Sequence, residues 1–83
     1  AGSRVSRSRV SSGCRIYGSV IGSILGRGVI VEPGAVVRDS IVMQGCVVRS
    51  GARVENAIVD RDNVVPAGIE LREDILVKDK PRD

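Results

Sequence analysis

The chain says nearly the same thing three times at a fixed period. From Leu25 it divides into LGRGVIVEPGAVVRDSI, VMQGCVVRSGARVENAI and VDRDNVVPAGIELREDI, three successive blocks of 17 residues. Each block splits into six, six and five residues, and every sub-block begins with an aliphatic side chain: Leu25, Val31, Val37; Val42, Val48, Val54; Val59, Val65, Leu71. A repeat of this length marks a solenoid, in which each unit buries its apolar side only against its neighbours. Gly28, Gly34, Gly45, Gly51 and Gly68 fall on the fourth position of the six-residue sub-blocks, where a corner calls for positive φ. The fifth positions hold Val29, Ala35, Cys46, Ala52, Asn63 and Ile69, mostly small or apolar. The spacing therefore predicts an all-β chain with three short flat strands per coil. Each strand sends its first and fifth side chains inward, with corners of Gly, Asp and Ser. This is a triangular parallel β-helix.

Strands of successive coils stack about 4.8 Å apart. Leu25, Val42 and Val59 should thus form one internal ladder, Val31, Val48 and Val65 a second, and Val37, Val54 and Leu71 a third. Composition agrees: 42% of residues are hydrophobic but Tyr17 is the only aromatic, so the core is built from thin β-branched and small side chains. A chain of 83 residues buries only about 60% of its unfolded surface. Unpaired strand edges at both ends of the stack invite a neighbouring domain or subunit.

Upstream, Val10, Ile16 and Val20 continue the register to Leu25 in a coil of 15 residues, so one corner is tighter by two. Val5 stands where the last strand of an earlier coil would end. The expected organisation is a lead-in at 1–7, whose opening AGS reads as a cloning remnant, a β-helix at 8–75, and a cap or tail at 76–83 where Pro81 and mixed charges stop the pattern. The chain enters in mid-helix, as a piece of a longer protein would.

Several chemistries are argued against. No apolar run approaches the roughly 20 residues that span a bilayer, and no signal peptide is recognisable, so a cytoplasmic location is expected. Thirteen Lys and Arg against ten Asp and Glu give +3, with no acid before Glu32. An Arg-rich end without interleaved aromatic residues is a solvated surface rather than a nucleic-acid site. Cys14 and Cys46 occupy equivalent inward slots two rungs apart, about 10 Å by strand spacing. That exceeds disulfide reach, and with no His in the chain and only two thiols, too far apart to share a metal, a zinc site is not expected. Gly26-Arg27-Gly28 falls on corner positions and is not a phosphate loop. Asp60 with Asp62, and Glu73 with Asp74, are outward corner charges rather than acid–base pairs. No catalytic residue is assigned.

The hexads resemble the hexapeptide repeat of left-handed β-helix proteins, and the left-handed sense is implied by that resemblance alone; the crossover rule would favour the opposite hand. Ser8, Val10, Ser11, Gly13, Cys14, Ile16, Gly18 and Val20, then Ser40, Ile41, Val42 and Met43, then Ala57, Ile58, Asp60, Pro66 and Gly68 together resemble the C-terminal domain of glucose-1-phosphate adenylyltransferase (ADP-glucose pyrophosphorylase) or its close regulatory-subunit relative. Arg61 and Asp62 depart from the Lys and Asn usual in the third segment. The match covers roughly residues 8 to 71.

The resemblance implies a parent that makes ADP-glucose from ATP and glucose 1-phosphate with Mg, for glycogen or starch synthesis, on an N-terminal catalytic domain. This stretch would itself hold no cofactor or metal. Its partners would be that domain, further subunits of a homo- or hetero-oligomer (a tetramer by resemblance), and an anionic sugar-phosphate or phosphate effector, with neither nucleic acid nor membrane. The resemblance points to Arg53 as the effector-binding residue, with Arg49 and Arg27 on neighbouring corners as further candidates. Arginine suits the task because its planar fork binds phosphate bidentately. Glu55 and Asn56 stand where some relatives carry a basic pair, which makes this chain less cationic there. Two other identities remain open: a hexapeptide-repeat acyltransferase fragment, although such enzymes generally use a His that this chain lacks, and a regulatory subunit without activity.

Overall fold

In a computed structural model of the chain, residues 3–73 and 75–76 are described, and they form a left-handed parallel β-helix with coils about 17 residues apart. Three parallel sheets make its sides. Sheet I stacks Arg4–Ser6, Ser19–Ile21, Val36–Arg38, Arg53–Glu55 and Glu70–Arg72. Sheet II stacks Arg9–Val10, Ile24–Leu25, Ile41–Val42, Ile58–Val59 and Ile75–Leu76, and sheet III stacks Arg15–Ile16, Ile30–Val31, Val47–Val48 and Val64–Val65. The strands are only two or three residues long because each coil must turn three times in 17 residues.

The expected ladders form in register. Leu25 pairs with Val42 and Val42 with Val59; Val31 pairs with Val48 and Val48 with Val65; Val37 pairs with Val54 and Val54 with Leu71. All but Leu71 are fully buried, and Leu71 packs against this cluster from the last complete rung. Arg4–Ser6 pairs in parallel with Ser19–Ile21, so Val5 begins the ladder that Val20 continues. The cap or tail expected at 76–83 lies outside the described residues, apart from the backbone of Leu76.

The five-residue sub-blocks depart from the first-and-fifth rule. With one residue fewer, the fourth side chain takes the inward slot, and the fifth faces out. Ser23, Ser40 and Ala57 are buried there, whereas Ile24, Ile41 and Ile58 are exposed. Two buried hydroxyls are tolerated because they close the stack. Ser40 Oγ accepts from Ala57 N at 3.1 Å and donates to Arg38 O at 2.7 Å, and Ser23 Oγ does the same for Ser40 N and Ile21 O. Ser8 Oγ accepts from Ser23 N one rung earlier. Each serine ties its corner to the next coil, and among the described residues no buried side-chain nitrogen or oxygen lacks a partner.

The same corner column takes positive φ without relying on glycine. Arg7, Asp39, Asn56 and Glu73 sit at φ 49° to 51°, with Gly22 in the equivalent place. Each later member donates its N–H to the coil before it, as from Asp39 N to Ile21 O at 2.9 Å. The tight corner of the 15-residue coil depends on Gly18, where a Cβ would run into the carbonyl oxygen of Ala35.

Candidate functional site

The three sides bury the same kind of ladder; outward, sheets II and III each carry an aliphatic column after an arginine, sheet III as Arg15, Ile30, Val47 and Val64, and sheet I is the most polar. On sheet I the outward columns hold Val36 and Ile21 but are otherwise polar: Glu55 lies 3.5 Å from both Arg53 and Arg72, and Arg72 lies 3.7 Å from Glu70. On sheet II the outward column is Arg9, Ile24, Ile41, Ile58 and Ile75, paired rung by rung. The four isoleucines are 37% to 68% exposed, and Met43 beside Ile41 is 42% exposed. A contiguous outward apolar ladder is the feature of this surface that a lone exposed residue would not explain.

Beside this ladder, where sheet II turns toward sheet III, an open groove of about 490 Å³ is lined by Ile24, Ile41, Met43, Gln44, Arg27 and Arg61 among others. A second depression of about 360 Å³ continues round the corner over Arg27, Gly28, Gln44, Gly45 and Asp62. Asp60 Oδ1 accepts from Arg61 N at 2.8 Å on the same rim.

The three arginines expected to bind an anion do not converge. Arg49 lies on the corner between sheets III and I and Arg53 opens the sheet I strand that follows it, while Arg27 lies on the corner between sheets II and III. Arg49 Nε is 3.5 Å from Glu32 Oε1, which also accepts from Ser50 N at 3.0 Å; Arg53 is held by Glu55. Among the described residues, Arg27 alone of the three makes no ion pair, and it lines both depressions.

Similarity to known proteins agrees with this geometry. The model of a family described as "GlmU-like, C-terminal hexapeptide" matches residues 1–82. The chain belongs to that hexapeptide family. It is also 52% identical over 40 residues to the glucose-1-phosphate adenylyltransferases of Streptomyces coelicolor and Streptomyces avermitilis, an overlap covering 48% of this chain and 10% of each enzyme. The matched part is thus about a tenth of those relatives' length, and the similarity is consistent with the β-helix domain of such an enzyme.

Within this hexapeptide domain the two thiols are free and serve as packing atoms. Cys46 is fully buried and its Sγ donates to Asp60 O at 2.9 Å; half-buried Cys14 donates to Gly26 O at 3.1 Å. Burial pushes the Cys46 thiol above its ordinary pKa, and the Asp62 and Asp60 carboxylates add to that, against hydrogen bonds from the backbone of Asn63 and Asp62. Such a thiol is a poor nucleophile. Among the described residues no group of three or more His, Cys, Asp or Glu could hold a metal ion, and no helix is long and apolar enough to cross a membrane.

Two features of the hexapeptide domain escape a reading by sub-block: the serine column that ties the short corner, and the isoleucine ladder outside it. Both recur at the same 17-residue spacing as the core, at Ser23 and Ser40 and at Ile24, Ile41, Ile58 and Ile75. The signal was the period itself, applied to outward positions.

Proposed function

We propose that this chain is the β-helix domain of a glucose-1-phosphate adenylyltransferase, performing no catalysis itself and serving subunit assembly and allosteric coupling. The observation that carries the assembly role is the outward isoleucine ladder of sheet II, a flat apolar surface that hydrophobic burial drives against another protein surface. The enzyme class is supported by the 52% identity to two such enzymes. In this reading the parent makes ADP-glucose and diphosphate from ATP and glucose 1-phosphate in the cytoplasm, for glycogen or starch synthesis, with Mg and ATP held on a separate N-terminal domain. A regulatory subunit would use the domain in the same way.

Of the arginines, Arg27 is best presented to a phosphate-bearing effector, because Arg49 and Arg53 would first have to leave Glu32 and Glu55. Size-exclusion chromatography with light scattering on the parent lacking residues 8–75 tests the proposal. The expected result is loss of the native oligomer and of the effector response. A truncated enzyme that keeps both contradicts it, and acetyl-CoA binding by this chain would favour a hexapeptide acyltransferase instead.

A further inference from the structure

The chain has two cysteines and one methionine, and their sulfur atoms are placed differently. Cys14 and Cys46 take inward slots, and their thiols donate to Gly26 O at 3.1 Å and Asp60 O at 2.9 Å. Met43 is instead 42% exposed at the end of the third of the five strands of sheet II. Its backbone is fixed, with Met43 N donating to Val59 O at 2.9 Å, and its side chain lines the open groove with Ile24 and Ile41. The first, second and fourth rungs carry Ser11, Gly26 and Asp60 at the same place, so the third alone of these four offers an apolar side chain there. At Gly26 a Cβ would run into the backbone of Met43 and Gln44, so no side chain screens the methionine from the second-rung side.

Resting on the assembly role proposed above for sheet II, we infer that Met43 is a redox-sensitive switch on that face: its thioether supports docking and its sulfoxide opposes it. The oxidant is hydrogen peroxide. The sulfur lone pair attacks one peroxide oxygen, an S–O bond forms as the O–O bond breaks, and the attacked oxygen passes its proton to the departing hydroxide, which leaves as water. The thioether is oxidised and the peroxide reduced.

The product is a polar side chain where an apolar one stood. Free in water, the new oxygen is hydrated. Against an apolar partner surface it must shed that water, and Ile24 and Ile41 have no side-chain donor to replace it. Donors in the groove belong to Arg27, Gln44 and Arg61, on the corner that leads to sheet III. The sulfoxide therefore either turns to that corner and withdraws from the isoleucines, or is buried unpaired; both weaken the contact. Docking covers Met43, so oxidation proceeds through the free subunit and holds it apart until a sulfoxide reductase restores the thioether.

The test uses the parent protein, diluted until its oligomer is in equilibrium with free subunits, treated with peroxide, and followed by sedimentation velocity and peptide mass mapping. Three variants accompany it: Met43→Leu, of similar volume and inert to peroxide; Met43→Gln, a polar mimic of the sulfoxide; and Ile41→Asp. Circular dichroism confirms that each is folded. Peroxide is expected to add one oxygen at Met43 and to weaken assembly about tenfold, as burying an unpaired polar atom does. Methionine sulfoxide reductase should reverse it. Met43→Gln should assemble about tenfold more weakly with no oxidant present, and Met43→Leu should keep native assembly in peroxide. The inference is overturned by a Met43 that stays unoxidised in free subunits, by an oxidised parent that assembles as before, by Met43→Leu dissociating in peroxide as the native protein does, or by Met43→Gln assembling as tightly. Ile41→Asp separates this from the reading beneath it. If Ile41→Asp dissociates while the Met43 variants are indifferent to peroxide, the assembly role stands and the switch is wrong; if Ile41→Asp keeps the native mass, sheet II is not the assembly face and the switch falls with it.

Discussion

Sheets I and II have the same number of strands, the same rung spacing and nearly the same inward residues, yet their outward surfaces have little in common. Sheet I wears a chain of ion pairs from Arg53 through Glu55 and Arg72 to Glu70, with arginine side chains more than half exposed. Sheet II wears isoleucine on four successive rungs. The β-helix imposes its period on what lies inside and constrains the outward columns less; sheet III also repeats aliphatic residues outward at Ile30, Val47 and Val64, but over fewer rungs and with Ile30 and Val47 half-buried, so sheet II has the longer exposed ladder. Surface ion pairs such as those of sheet I add little stability and keep a face in water. The ladder of sheet II exposes apolar area that a solvated face would not keep.

The largest effect should separate neighbours on one strand. Leu25→Ala, inward and fully buried, is expected to cost about 2–5 kcal/mol in denaturant unfolding, whereas Ile24→Ala, outward, should cost about 1 kcal/mol or less. Equal costs would erase the distinction between inside and outside on which the comparison stands. Next comes the corner that joins the two sheets. Ser40→Ala leaves the buried Ala57 N–H without its acceptor and should cost about 1–3 kcal/mol, read from the same unfolding curves.

A pH measurement sharpens the account of the corner that leads into sheet III, where Cys46 is the inward residue. Its folded pKa is raised, so the thiol in the unfolded chain ionises first. Its contribution is therefore complete below the ordinary thiol pKa and falls as pH rises through the folded value. Stability should decline over that alkaline range less steeply in Cys46→Ala than in the native chain, and alkylation of Cys46 at neutral pH should occur only as fast as the chain unfolds. The smallest effect belongs to sheet I. Glu55→Gln loses two exposed-side ion pairs and should change stability by less than about 1 kcal/mol, with the difference vanishing in high salt.

The core was legible from the aliphatic residue that opens each sub-block, because a solenoid requires the same inward chemistry at every rung. Val5, within the lead-in, was legible for the same reason. The inward role of Ser40 was not, since a six-residue rule places a corner serine in solvent. Only the shortened corner turns it in, where backbone N–H groups of the next coil give it a partner. Ile41 was misplaced by the same one-residue shift. The arginines show the opposite limit. Arg27, Arg49 and Arg53 look alike in sequence, and nothing but the stacking of coils puts Glu32 beside Arg49 and Glu55 beside Arg53 while leaving Arg27 without a counter-ion among the described residues.

The contrast between the two faces is tested most directly by sedimentation equilibrium on a matched pair of outward variants, Ile41→Asp on sheet II and Arg53→Asp on sheet I, each compared with the native chain. Both should melt close to the native temperature. Ile41→Asp is predicted to lose the assembled mass while Arg53→Asp retains it. Two variants of the same mass as the native chain, or a loss on sheet I instead, would contradict the assignment of sheet II as the assembly face.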